Sequence, residues 1–121
     1  MPDFGGGSMK SAEVIGPASP LALGYMRKYP LMSEIEVARV QASLAKCARR
    51  SGYTLGTVHM EELHSDPKAF LTAVAAINQF DIAAVVVPTF AHLGDPRSPE
   101  SKRAHLDRET RARVLIADSS P

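Results

Sequence analysis

A single cysteine, Cys47, stands in the whole chain of 121 residues. One thiol excludes an intramolecular disulfide, and a chain of this length buries enough surface to fold as one domain without such a staple. An excess of charge of either sign is lacking too, the formal net charge being +1. A protein that holds DNA chiefly through its phosphates carries a clear basic excess, because counterion release drives that binding. This balance points to weak DNA binding at most. No apolar run approaches the roughly 18 to 20 residues of a membrane span, and the start shows no basic segment followed by an apolar one. The expectation is a cytoplasmic protein with no membrane segment. There is no phosphate-cradling glycine loop either, since Gly5 to Gly7 precede no strand-to-helix turn.

What is present is ordinary globular composition, 45% hydrophobic and 22% charged. Residues 1–20, rich in Gly, Pro and Ser, read as a flexible lead-in whose removal should leave stability nearly unchanged, and residues 21–121 as the folded domain. Leu21 to Met26 reads as a buried strand that ends in Arg27-Lys28. Ser33 with Glu36 three residues on forms a capping box, so a helix is expected from Glu34 to Ser51. Its apolar stripe is Val37, Val40, Leu44 and Cys47, which makes Cys47 a core thiol, and Gly52 supplies the stop. Tyr53 to Met60 is a second strand. Asp66-Pro67 reads as N-cap and first residue of a second helix with Phe70, Leu71, Val74 and Ile77 inward, ending near Asn78. Ile82 to Val87, apolar on both sides, suits a central parallel strand. A charged helix over Ser98 to Thr110, with Ala104 and Leu106 inward, and a last strand over Val114 to Ala117 complete the series.

This alternation predicts an α/β fold with right-handed crossovers and a mostly parallel open sheet of about four strands flanked by helices. Ligands of such sheets sit beyond the carboxyl ends of the strands. Those ends are Arg27 to Tyr29, Glu61 to Ser65 and Thr89 to Asp95.

Several of these segments match one family. Gly24-Tyr25-Met26-Arg27-Lys28-Tyr29 resembles the opening Tyr-Xaa-Arg-Xaa-Ser of serine recombinases, the resolvases and invertases. The helix bearing Gln41 and Leu44, the Gly52-Tyr53-Thr54-Leu55 turn, Glu61 and Phe70 follow the family's order of a Gln-containing helix, a Gly-aromatic turn, an acidic residue and a second helix. Val85 to Pro88, then Thr89 to Asp95, is similar to its apolar strand and Asp-Arg-Leu-Xaa-Arg motif, and Val114 to Ala117 resembles the next strand. The resemblance spans Leu21 to Ala117 and implies a resolvase-like three-layer arrangement. It also implies a chemistry in which a serine hydroxyl attacks a DNA phosphodiester while arginines stabilise the charged transition state.

The residues that chemistry needs are replaced here. Tyr29 stands at the nucleophile position, and Ala91, His92 and Asp95 stand where the family has an acid and two arginines. Lys68, near the start of the second helix, takes the place of a further arginine, and one ammonium cannot reproduce the guanidinium fork. The family's long dimerisation helix and helix-turn-helix module find no counterpart in the few residues after Ala117. The expectation is therefore a degenerate, non-catalytic resolvase-like domain acting as an interaction or regulatory module. A reduced recombinase and a small-molecule or anion-binding α/β protein are the alternatives. Self-association as a homodimer over an exposed sheet edge or face, or a protein partner, is expected.

Among single residues, Arg27 is the best anion-binding candidate, with Lys68 and His92 as its companions, although His92 also reads as an exposed loop histidine. Tyr29 is the candidate substitute nucleophile, set against a surface or hinge aromatic, and Arg27 is its candidate catalytic companion. Ser33 is explained by its cap. His59, His64, Glu61 and Glu62 lack the spacing of a metal site, so no metal and no cofactor is expected. Arg97, Lys102, Arg103, Arg108, Arg111 and Arg113 read as a solvated helix face or, more sharply, as a weak nucleic-acid footprint.

Overall fold

The computed structural model describes residues 19–62 and 67–117. Four strands and three helices alternate: β1 (Leu21–Arg27), α1 (Glu34–Arg50), β2 (Thr54–Glu61), α2 (Lys68–Phe80), β3 (Ala84–Val87), α3 (Lys102–Glu109) and β4 (Arg113–Ile116). A short 3-10 turn over Phe90–His92 lies between β3 and α3. All pairings are parallel, in the order β2-β1-β3-β4. The chain is α/β, as its alternation of apolar strands and amphipathic helices predicts.

Alternate strand residues face opposite sides of a pleated sheet, and here each side has its own core. Leu23, Tyr25, Val85 and Val87 pack with Phe70, Ala73, Val74 and Ile77 of α2 and with Leu106 of α3. Ala22, Ala84, Val86 and Leu115 face the other way, onto Leu44, Cys47 and Ala48 of α1. The result is three layers with β1 and β3 central. Gly24 shows how closely α1 approaches, since a Cβ there would lie 3.2 Å from Leu44 Cδ1 and 3.1 Å from Val58 Cγ2.

The ends of the elements have local causes. The capping box forms: Ser33 Oγ accepts from the Glu36 amide at 3.1 Å, and Glu36 Oε1 accepts from the Ser33 amide at 3.0 Å. The Glu36 hydrogen bonds with Ser33 hold its carboxyl below the usual range. Gly52, with φ +87, lets the chain leave α1. Strand β2 begins at Thr54 rather than Tyr53, because the Tyr53 amide still bonds to Ala48 O of the helix. Likewise α2 runs on past Asn78 to Phe80, and Asp81 ends it in the left-handed region, φ 55. Strand β3 is correspondingly shorter than Ile82 to Val87, as the Ile82 amide bonds back to Ile77 O. Helix α3 starts only after Ser101, whose hydroxyl accepts from the Ala104 amide at 3.0 Å, and it turns Ala104 and Leu106 inward. The predicted cap Asp66 lies outside the described residues, and Pro67 stands at the N-cap with no side-chain bond.

Candidate functional site

From β1 the chain passes to β2 on one side and, through α2, to β3 on the other. The two crossovers diverge at the carboxyl ends of β1 and β3, the switch point where open α/β sheets bind ligands. The register there sets the geometry. Strand β1 pairs with β3 only over Ala22 to Gly24, whereas it follows β2 as far as Arg27. A gap is left beyond Gly24 on the β3 side.

His92 closes that gap. Successive amides of a strand point to opposite edges, and the Lys28 amide bonds to Glu61 O on the β2 side at 2.8 Å, so the Arg27 amide points toward β3. It donates to His92 Nδ1 at 2.9 Å. An accepting Nδ1 places the imidazole proton on Nε2. Burial and the neighbouring Arg27 charge push the His92 pKa down to about 4, so the ring is neutral at pH 7. The reading of His92 as an exposed loop residue is corrected: it is 7% exposed, held inside by its bond to the end of β1.

Arg27 and Tyr29 complete the mouth. The Arg27 guanidinium lies 5.3 Å from the centroid of the Tyr29 ring, a cation–π contact, and its Nη1 donates to Ala91 O at 3.5 Å. The Tyr29 ring meets His92 edge to face at 5.5 Å. Of the residues singled out from sequence, Arg27, Tyr29 and His92 are thus brought together. Lys68 is the exposed first residue of α2. Asp95, which the sequence resemblance sets against an arginine, accepts from the Arg97 amide and pairs with its guanidinium, which holds its carboxyl below the usual range.

A second polar group lies deeper, at the carboxyl end of β2. Glu61, 3% exposed, accepts a short hydrogen bond from the Tyr25 hydroxyl through Oε2, and Lys102 Nζ stands 3.9 Å from that oxygen. Its Oε1 has no hydrogen-bond partner among the described residues. Burial first, then the hydrogen bond to Glu61 and its charge, raises the Tyr25 pKa far above that of a free phenol. Sequence reasoning placed Glu61 at a strand's carboxyl end and as the motif's acid, and set it aside as a metal ligand, but did not pair it with Tyr25 or Lys102. Its partners lie 36 and 41 positions away in the chain, and no local pattern signals them.

The terminal basic residues are largely engaged by protein groups. Arg103 pairs with Asp107 at 3.3 Å, one turn on, Arg108 donates to Pro99 O, and Lys102 turns to Glu61. Among the described residues no group of three metal-ligating side chains gathers, and no helix is long and apolar enough to cross a membrane. No known protein-family model, curated protein or solved structure matches the chain.

Proposed function

We propose that the chain is a non-catalytic, resolvase-like domain that works by binding protein, not by cutting DNA. The observation that carries this reading is the packing of Tyr29 between Arg27 and His92. At the position where the resemblance implies a nucleophile, an aromatic ring is used as a packing surface. Phosphoryl transfer needs cations aimed at the developing charge. Among the described residues, Tyr29 meets the Arg27 guanidinium, which also reaches a carbonyl, and a neutral imidazole stands in place of a second cation. The pairing of Arg103 and Arg108 with groups of the domain itself also argues against a DNA-binding face on α3.

Binding fits the rest of the surface. The sheet ends on β2 and β4, and among the described residues each keeps one edge without a strand neighbour. Strand β2 carries neither proline nor lysine, the residues that commonly protect an edge. A second copy added along this edge gives the expected homodimer. Incubation of the protein with supercoiled plasmid tests the main reading. No nicked or linear product is expected, and nicking that depends on Tyr29 overturns it. A strictly monomeric mass in light scattering at high concentration contradicts the dimer.

A further inference from the structure

Strand β2 is irregular in its middle. Ala22 pairs with Leu55 and Gly24 with Val58, so two residues, Gly56 and Thr57, stand opposite Leu23 alone. An extra residue of this kind is a β-bulge, and bulges gather at sheet edges and beside active sites, where they re-aim side chains. Glycine inside a strand likewise marks a bulge or a place where another group comes close. Leu55 and Val58 pack toward α1, so by alternation Gly56 and His59 face α2.

Across from them on α2 stands Ala76, and between strand and helix lies a cavity of about 400 Å3. Small side chains thus oppose each other where a close-packed interior would carry bulk. Beyond its chain neighbours, a Cβ added at Gly56 would have only Ala22 O within 4 Å, at 3.7 Å. Leu21 and Phe80, 48% and 63% exposed, border the cavity together with Ile82. The volume falls within the roughly 300 to 1,000 Å3 of pockets that hold small molecules.

The lining decides what such a pocket receives. No charged side chain belongs to it, so an ion entering would lose its hydration without a counter-charge, and the occupant is neutral. Its polar groups are the Thr57 hydroxyl and the His59 imidazole. Among the described residues that imidazole makes no hydrogen bond, and burial alone pushes its pKa below that of a free histidine. The neutral ring offers one nitrogen that donates and one that accepts. Phe80 adds an aromatic surface, which favours a ring over a chain.

We propose that the cavity between β2 and α2 is a binding site for a small neutral aromatic molecule that carries a hydroxyl group, with His59 accepting its hydrogen bond and Gly56 and Ala76 making room for its ring. The site lies toward the amino ends of the strands, opposite the end that carries Arg27, Tyr29 and His92, and does not rest on the reading of that end.

The test uses the full chain, labelled with 15N, and three probes of one shape: 4-methylphenol, toluene and 4-methylbenzoate. Titration followed by amide NMR should give saturable shifts with 4-methylphenol, centred on Gly56, Thr57, His59 and Phe80. Toluene should bind about tenfold more weakly for want of the hydrogen bond, and 4-methylbenzoate not at all. His59→Phe should remove the preference for 4-methylphenol over toluene. Gly56→Val fills the cavity, and should abolish binding without lowering the melting temperature. Ala76→Leu, which narrows the cavity from the helix, carries the same expectation and serves where Gly56→Val does not fold. Shifts that never saturate or that scatter over the surface, equal binding of 4-methylbenzoate, or binding at wild-type strength by a folded Gly56→Val or Ala76→Leu each overturns the proposal. A dimer that Phe80→Ser dissociates, in a wild type that binds no probe, gives the cavity to a second copy and overturns it as well.

Discussion

His92 sits unprotonated under the end of β1, and this makes the fold sensitive to acid in a defined window. Its pKa falls from 6.5 to about 4 on folding, through burial and the Arg27 charge. Below pH 6.5 the unfolded chain binds a proton at this imidazole that the native state refuses, so the unfolded state gains. The stability held by a neutral His92 is therefore complete above pH 6.5 and is lost as pH falls toward 4, in total about 3 kcal/mol. For a domain of this size that corresponds to a fall of about 10 to 20 °C in melting temperature. His92→Asn isolates the effect, since the amide oxygen of asparagine replaces Nδ1 as acceptor for the Arg27 amide and does not titrate. The assay is urea unfolding followed by circular dichroism at pH 7, 6, 5 and 4. Carboxylates such as Glu36 and Asp95, also lowered, lose stability with acid in both proteins, so the difference between the two curves is the readout. Wild type should approach or fall below His92→Asn as pH drops. Parallel curves would refute the burial argument.

Tyr25→Phe keeps the ring against Phe70, 5.5 Å between centroids, and removes only the hydroxyl that serves the buried Glu61. It should destabilise by about 2 kcal/mol in chemical unfolding, the worth of a hydrogen bond to a charged group, and no change would show that water replaces the donor. Leu44→Ala empties the centre of the α1 face, where Leu44 is 0% exposed, and should cost about 2 to 5 kcal/mol with the urea dependence unchanged. Leu31→Gly should stabilise by about 1 kcal/mol, partly offset by the greater freedom of glycine in the unfolded chain, and a loss of stability would contradict the strain at φ 70.

The elements were legible where their signals are local. Ser33 and Glu36 announce the start of α1 three residues apart, and the stripe that includes Leu44 and Cys47 gives its buried face. The run ending in Val85, Val86 and Val87, apolar on both sides, suits a strand covered on both faces, and it is one. Boundaries shifted where a single backbone bond decided them, as at Tyr53 and Ile82, whose amides return to the preceding helix. Strand order was not legible, because parallel pairing joins residues across whole crossovers. The site divided in the same way. Arg27 is visible as a cation at a strand's end, but the burial of His92 depends on the gap between β1 and β3, and the Glu61 group on partners from β1 and α3. Periodicity carries no information about either. Leu31 was overlooked because a left-handed backbone at a non-glycine residue leaves no mark in the sequence.

The central claim is that the end of β1 is built for contact and not for chemistry. Its most direct test is a covalent one. A labelled, nicked DNA duplex that traps strand-transfer intermediates is incubated with wild type, Tyr29→Ser and Tyr29→Phe and resolved on a denaturing gel. The account predicts no protein-linked DNA with any of the three. A restored serine would still face Ala91, a neutral His92 and an Asp95 turned to Arg97, and losing even one oriented donor costs about a hundred- to a thousandfold in rate. A DNA-linked band with wild type that vanishes in Tyr29→Phe would make Tyr29 a nucleophile and contradict the account.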